Sequence, residues 1–353
     1  MFLTLLSQSH VCRPSHGYAA RNNHLWNSFK VRFNKTYDSL QDQVRESVFM
    51  RNMRRITLHR SRYRAQLESF DVDMNYFTDW VSSDAYMNHF AVWLQSERIQ
   101  MLGIKRSERL PEDTWTDYNI PSEAPTSLIN VSIPDTLDWR QRGAVTRVKN
   151  QGKCGSCWAF ATVGAVESHH FLRSEQLVEL SEQNLLDCDR TDAACHGGDV
   201  FRAYRFMTRQ GGVDTALSYP YHFFPERCHF SPQAVGARVL GFRQLPSADE
   251  VLLKAVVATR GPVTAVMDAT IDLFAYKRGV LSVKNCSNTT ANHGVIIIGY
   301  GTEAGMEYWL VKNSWSAKWG DEGYFKIQRN VNMCGIATNV TYPIVGDVDI
   351  DES

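Results

Sequence analysis

The sequence predicts an α+β chain: a helical N-terminal segment, then a larger part that is helical in its first half and β-rich in its second. Three observations predict it. Residues 25–67 hold few Gly or Pro and repeat their apolar positions at helical spacing. Two helix-like stretches, Cys157–Leu172 and Ser181–Cys188, each open at a turn or a capping serine. Beyond Gly236 the apolar runs become short, β-branched and punctuated by Gly-containing turns.

Taken in order, residues 1–22 read as a leader. Met1–Leu6 is apolar, but it is shorter than a secretory core of roughly 7–15 residues and lacks the basic start, so as a signal peptide it is weak. Within the first helical stretch, Arg45, Phe49, Asn52 and Ile56 are spaced by 4, 3 and 4 residues, which puts all four on one face. Arg45–Arg64 carries seven Arg and one Glu, either a solvated helix face or a charged surface that docks on an acidic partner. Gly103, Pro111, Pro121, Pro125 and Pro134 break helices and mark residues 103–135 as an extended connector with a domain boundary. Strands are expected at Val239–Phe242, Val263–Met267, His293–Tyr300, Tyr308–Lys312 and Gly323–Gln328.

With 353 residues, about two folding units are expected. Lys and Arg number 38 against 38 Asp and Glu, so no global field favours nucleic acid or an anionic membrane. No window approaches the roughly 18–20 apolar residues of a membrane span. Cysteines stand at 12, 154, 157, 188, 195, 228, 286 and 334, so seven fall in the last 200 residues. An odd number suggests a disulfide framework plus one unpaired thiol. Zinc is the rival reading, with Cys154, Cys157, Cys188, Cys195 and His196 as soft ligands, although no second close pair completes the usual four-ligand spacing.

The chemistry concentrates in Gln151-Gly-Lys-Cys154-Gly-Ser-Cys157-Trp158, which places a thiol at a helix start behind a tight turn. There the helix dipole and open N–H groups favour the thiolate, the nucleophilic form. A proton carrier is found 136 residues downstream in Asn292-His293-Gly294, and 20 residues further on stands Lys312-Asn313-Ser314-Trp315. Cys154–Trp158 fits the C-G-[SA]-C-[WY] pattern of papain-like nucleophiles, whose His and Asn follow by about 130–150 residues. From about Ile133 to Pro343 the chain resembles the papain-family cysteine proteases. Asp138-Trp-Arg140, Gly143–Gln151, Cys195-His-Gly-Gly198, Tyr219-Pro-Tyr221 and Trp315–Gly320 strengthen the likeness.

The resemblance implies a papain-like fold of two subdomains, a helical left domain and a β-barrel right domain, preceded by a helical propeptide. It implies a Cys157 thiolate paired with a His293 imidazolium, Asn313 orienting the ring, Trp315 shielding that bond and Gln151 contributing to an oxyanion hole. It pairs Cys154 with Cys195, Cys188 with Cys228 and Cys286 with Cys334, leaving Cys157 unbonded. Substrate-lining positions fall on Gly197, Gly198, Asp199, Val200, Val266, Ala291 and Asn339. Polar Asp199 and Asn339 raise the option of a polar or basic side chain beside the default aliphatic one. No loop resembles the one that makes cathepsin B a carboxydipeptidase, so endopeptidase action is implied.

Upstream, Gln41, Arg45, Phe49, Asn52, Ile56 and Arg60 follow a cathepsin L-type propeptide pattern in four of six positions, and Asp73-x-Asn75-x-Phe77-x-Asp79 follows a second one with its Gly replaced. The expected organisation is a leader at 1–22, an inhibitory propeptide at 23–132, a peptidase domain at 133–345 and an acidic, disordered tail at 346–353. The 54 positions from Asp79 to Ile133, with Trp80, Trp93 and Trp115, are long for such a connector. No metal or organic cofactor is implied. The expected partners are protein and peptide substrates and the chain's own propeptide, in a monomer delivered to the lysosome or secreted. Five N-x-S/T sequons stand at Asn34, Asn130, Asn285, Asn288 and Asn339. The alternative is a catalytically silent binding protein of this fold whose propeptide inhibits other proteases.

Overall fold

The computed structural model describes residues 16–80, 101–105 and 132–347. Cys12, Trp93, Trp115, the Asn130 sequon and the tail past Asp347 lie outside the described residues.

The continuous helix read over 25–67 is two helices, α1 His16–Arg32 and α2 Ser39–Arg64. The chain reverses between them because Asn34 takes a left-handed φ of 50° and Asp38 caps α2, its carboxylate accepting from the amides of Leu40 and Gln41. Trp26 and Phe29 of α1 pack on Phe49 of α2. The face read from spacing is buried, polar members included: Asn52 donates to the carbonyls of Thr78 (2.8 Å) and Trp80 (3.0 Å). Arg45 lies 3.7 Å from the fully buried Asp79, which also takes Lys35 at 3.1 Å and the Tyr37 hydroxyl. Arg51, Arg54, Arg55, Arg62 and Arg64 are exposed.

The C-terminal part begins its helical half with α3 Cys157–Ser174, α4 Glu182–Cys188, capped by Ser181, and α5 Val200–Gln210. α5 is not among the helices expected from sequence; Asp199 starts it by accepting from the amides of Phe201 and Arg202. The second half is not all β. Asp249 caps α6 Glu250–Thr259, whose β-branched Val256 and Val257 are buried beside Leu253. A short α7, Ile271–Ala275, follows.

Among the described residues the ten strands are β1 Phe70–Val72, β2 Leu137–Asp138, β3 Val213–Asp214, β4 Val235–Gln244, β5 Val263–Met267, β6 Tyr276–Leu281, β7 His293–Glu303, β8 Met306–Lys312, β9 Tyr324–Gln328 and β10 Val340–Gly346. The expected barrel is corrected here: among the described residues the sheet runs as an open path β1-β6-β9-β8-β7-β5-β10-β4-β3, with β2 on β7. Closure is not needed to protect its edges. β6 is covered by β1 of the upstream segment (Phe70 opposite Gly279), and β10 pairs with β5 over only two residues before following β4 into the helical half.

One core lies under the sheet around Trp309, Phe325 and Tyr276, and another around α3 with Trp158, Tyr204 and Met207. A largely buried ionic network joins the two halves behind the cleft. Lys149 contacts Glu167 of α3 and Glu182 of α4, both at 2.6 Å, and Lys312 at the end of β8 donates to Thr146 at 2.8 Å, whose hydroxyl meets Glu167. Burial opposes charge on Lys149, but the two carboxylates outweigh it and hold its pKa above the ordinary value. Burial dominates at Lys312 and pushes it down to about 8. Disulfides join Cys154–Cys195, Cys188–Cys228 and Cys286–Cys334, and Cys157 is the one unbonded cysteine among the described residues.

Candidate active site

Cys157 opens α3 behind the bend that Cys154–Cys195 fastens, and its thiol is fully buried. His293 opens β7, directly opposite Met267 of β5. The two elements meet closely: a Cβ on Gly294 would lie 3.0 Å from the Cys157 carbonyl, and the Gly294 amide hydrogen-bonds the thiol. Nε2 of His293 is 2.8 Å from Oδ1 of Asn313. That oxygen only accepts, so Nε2 carries the proton and Nδ1, buried and without a partner, keeps its lone pair. Trp315 covers the pair, its ring 4.7 Å from that of His293, and is itself backed by Phe274 at 4.7 Å and Trp319 at 5.0 Å.

Gln151 is fully buried and locked by its hydrogen bonds. Its Oε1 accepts from Ser314 Oγ at 2.6 Å, which aims Nε2 at the carbonyls of Cys154 (2.8 Å) and Met101 (2.9 Å).

Met101 belongs to the upstream segment, whose residues 101–105 occupy this cleft. The Gly103 amide donates to Cys157 Sγ at 3.3 Å, and its carbonyl accepts from Gly198 N at 2.8 Å. Ile104 N donates to Asn292 O at 3.1 Å and Lys105 N to Gly198 O at 3.0 Å, so the segment runs parallel to Gly198. Only glycine fits at 103, since a Cβ would lie 1.7 Å from the Gly155 carbonyl oxygen. The approach also needs Gly197, where φ is +101° and a Cβ would lie 2.8 Å from Gly103 O.

Burial is the main cause at both reactive groups. It pushes the Cys157 thiol up to about 11, against the amides of Gly294 and Gly103, and the His293 imidazole down to about 4. With the cleft filled, both are neutral across ordinary pH.

Of the lining positions expected from sequence, Val200, Val266 and Ala291 gather in one apolar cluster with Phe201, Phe242 and Ile104 of the upstream segment. Asp199 is 4% exposed and turned to cap α5. Asn339 is half-buried just ahead of β10. Met101, Gly103, Ile104, Phe201 and Phe242 lie outside the set expected from sequence. The available signal was Met101-Leu-Gly-Ile104, a glycine between apolar residues in a stretch otherwise rich in breakers.

Residues 133–344 match the papain family cysteine protease, and residues 26–86 match the cathepsin propeptide inhibitor domain (I29). The chain is 40% identical over 329 residues to a cathepsin L-like peptidase of Aedes aegypti, with 91% of this chain and 92% of that protein covered. It is 37% identical over 328 residues to procathepsin L of Rattus norvegicus, covering 91% of each. Among solved structures, digestive procathepsin L2 proteinase from Tenebrio molitor larval midgut matches with a TM-score of 0.80 at 34% identity, over 91% of this chain and 99% of that one. A recombinant stem bromelain precursor matches at 0.77 and 31% identity, over 93% and 100%.

Proposed function

Because the chain belongs to the papain family of cysteine proteases, we propose that Cys157 is its nucleophile, His293 its proton carrier, Asn313 the group that orients the ring and Gln151 the side-chain donor to the oxyanion. The protein is a cathepsin L-type cysteine peptidase made as a zymogen, acting on protein substrates and held by its own propeptide. One observation carries the assignment of roles: a peptide of the chain itself lies between Cys157 and Gln151, its Gly103 amide on the sulfur and its Met101 carbonyl on the Gln151 amide. A substrate carbonyl at that carbonyl's place has an N–H donor waiting for the charge that develops on attack.

With residues 101–105 gone, water reaches the cleft and the burial that keeps both groups neutral is relieved. The start of α3 then favours the thiolate, and Nδ1 of His293, whose lone pair is already open, takes the proton. The thiolate attacks the peptide carbonyl, His293 protonates the leaving amine, and water hydrolyses the thioester with His293 as base. Trp315 keeps the His293–Asn313 bond dry, which preserves the ring orientation.

Endopeptidase action with an aliphatic preference two residues before the cut is the further reading. It is supported by Ile104 lodged among Val200, Val266 and Ala291, with Phe201 and Phe242 behind, and by the turning of Asp199 into a helix cap. The proposed units are the propeptide at 23–132 and the peptidase domain at 133–345. Three disulfides support an oxidising location, lysosomal or secreted, and a monomer is the proposed state. No helix among the described residues is long and apolar enough to cross a membrane.

Iodoacetamide labelling tests the roles. Acid-processed protein is expected to alkylate at Cys157 within minutes at about pH 5.5, where an ordinary thiol is inert, and the uncut chain at neutral pH is expected to stay unlabelled. Slow labelling of the processed protein, no faster than an unactivated thiol, contradicts the thiolate assignment.

A further inference from the structure

A cavity of about 220 Å³ lies outside the catalytic cleft, at the seam between the propeptide and the peptidase domain. Its floor is apolar: Ile56 of α2, Val72 of β1 and Phe77 from the propeptide side, Phe274 and Ala275 of α7 from the peptidase side. The polar groups along it are already engaged. Asn52 donates to two carbonyls, Asn75 Nδ2 donates to Phe274 O at 2.6 Å, and His59 Nε2 bonds Phe70 O at 2.8 Å. A ligand therefore meets hydrocarbon in the floor with no unmet hydrogen-bond demand.

The rim is cationic. Arg55 and Arg62 stand on α2 with half-exposed side chains of 49% and 51%. Arg62 is held by Glu68 at 2.6 Å, whereas among the described residues Arg55 approaches Asp272 at 4.0 Å, the one described carboxylate lining the cavity. A hydrocarbon floor below an under-committed guanidinium is complementary to an amphipathic anion. The volume sits below the roughly 300–1,000 Å³ of pockets for drug-sized ligands, which limits the occupant to one short chain or a single ring.

We propose that this seam binds a medium-chain carboxylate, with its chain against Ile56, Phe77 and Phe274 and its head on Arg55, and that the bound ligand holds the zymogen closed. Both units supply walls, so the site exists only while they are together. By linkage, a ligand that binds the closed form alone stabilises it and slows release of the propeptide. The inference rests on the reading of the upstream segment as the inhibitory propeptide. Nothing in the chemistry of the cleft depends on it, and the cavity shares no residue with Cys157, His293, Asn313 or Gln151.

The test uses the full-length chain and sodium octanoate. In the Cys157→Ser variant, which is not expected to process itself, octanoate at ten times its dissociation constant should raise the unfolding midpoint at neutral pH by about 2 °C. In wild type the same concentration should lengthen the half-time of acid maturation about tenfold. Octanol should do neither, and Arg55→Ala should lose both effects while keeping its ligand-free midpoint and the activity of its matured form. An unchanged midpoint with octanoate overturns the proposal. So does an equal response to octanol or in Arg55→Ala, or an equal effect of octanoate on the already matured enzyme. Failure of the propeptide reading looks different: full activity of the uncut wild-type chain at neutral pH, whatever octanoate does.

Discussion

Gly103→Ala is the substitution that probes the latency of the zymogen most sharply. The added methyl would sit 1.7 Å from a backbone oxygen, that of Gly155, which the Cys154–Cys195 bridge and the start of α3 hold in place. The neighbour cannot give, so the segment must lift. Residues 101–105 make five polar contacts in the cleft, through Gly103 N and O, Met101 O, Ile104 N and Lys105 N, and bury Met101 to 1% exposure. At about 0.5–1.5 kcal/mol net per contact and about 1.5–3 kcal/mol for the methionine, the full grip amounts to about 4–10 kcal/mol. Losing the two contacts of Gly103 alone forfeits about 1–3 kcal/mol, which raises the open fraction about 5- to 150-fold. The assay is the initial rate of a fluorogenic peptide amide at neutral pH, read on uncut protein with the chain length checked on a gel. Gly103→Ala should leak activity by at least about fivefold over wild type, while its matured form, from which residue 103 has been removed, should match wild type in kcat/KM. Equal latency of the two uncut chains would refute the account of how the propeptide is held.

Four further outcomes follow from the same geometry. His293 in the closed form is pushed down to about 4, below its ordinary value near 6.5, so the closed form resists the proton. Its stability relative to the open form is intact above about pH 6.5 and declines as pH falls from there to about 4. In Cys157→Ser, where no thiol hands His293 its proton on opening, this favours opening about twentyfold between pH 7 and 5, and a rate of propeptide cleavage by an added protease that is flat over that range would contradict it. Asp73, held low by Lys277 and by the Met74 amide against the opposing effect of burial, keeps its charge in this window and should contribute nothing to the trigger, so Asp73→Asn should leave the slope of the pH profile unchanged. Lys149→Met leaves Glu167 and Glu182 facing each other in a buried junction, and should cost about 3–5 kcal/mol in denaturant unfolding of the Cys157→Ser chain; a loss below about 1 kcal/mol would show that water relieves the pair. Asp199→Ala should lower stability by about 1 kcal/mol through the lost α5 cap, with the substrate profile still dominated by aliphatic residues; a shift of preference would put Asp199 in the pocket.

Most of the proposed catalytic set is legible in sequence because its residues belong to local motifs whose spacing and neighbours are distinctive. Cys157 follows a turn and opens a helix, and His293 and Asn313 sit at strand ends next to Gly294 and Trp315. The helix face of Arg45, Phe49, Asn52 and Ile56 is legible through its period, yet what Arg45 and Asn52 do there is not, because their partners Asp79, Thr78 and Trp80 come from a later turn. The break between α1 and α2 has no Gly or Pro to announce it and rests on Asn34 and the Asp38 cap. α6 hides behind its valines, residues that favour strands until a cap and a packed face outweigh that preference. Barrel closure fails for a different reason: β1, which covers the sheet edge, comes from residues some 200 positions away, and no local pattern encodes that pairing. The cleft segment was hidden most completely. Gly103 reads as a breaker in a connector, and its role appears only when the Gly155 carbonyl is brought against it.

The most direct measurement is hydrolysis of a dipeptidyl fluorogenic amide at about pH 5.5 under thiol, comparing wild type with Cys157→Ser before and after acid incubation. Activity only in acid-processed wild type is the predicted result, joining the nucleophile to the zymogen in one experiment. Equal hydrolysis by processed Cys157→Ser, or full activity of the wild-type chain before any shortening, would contradict it.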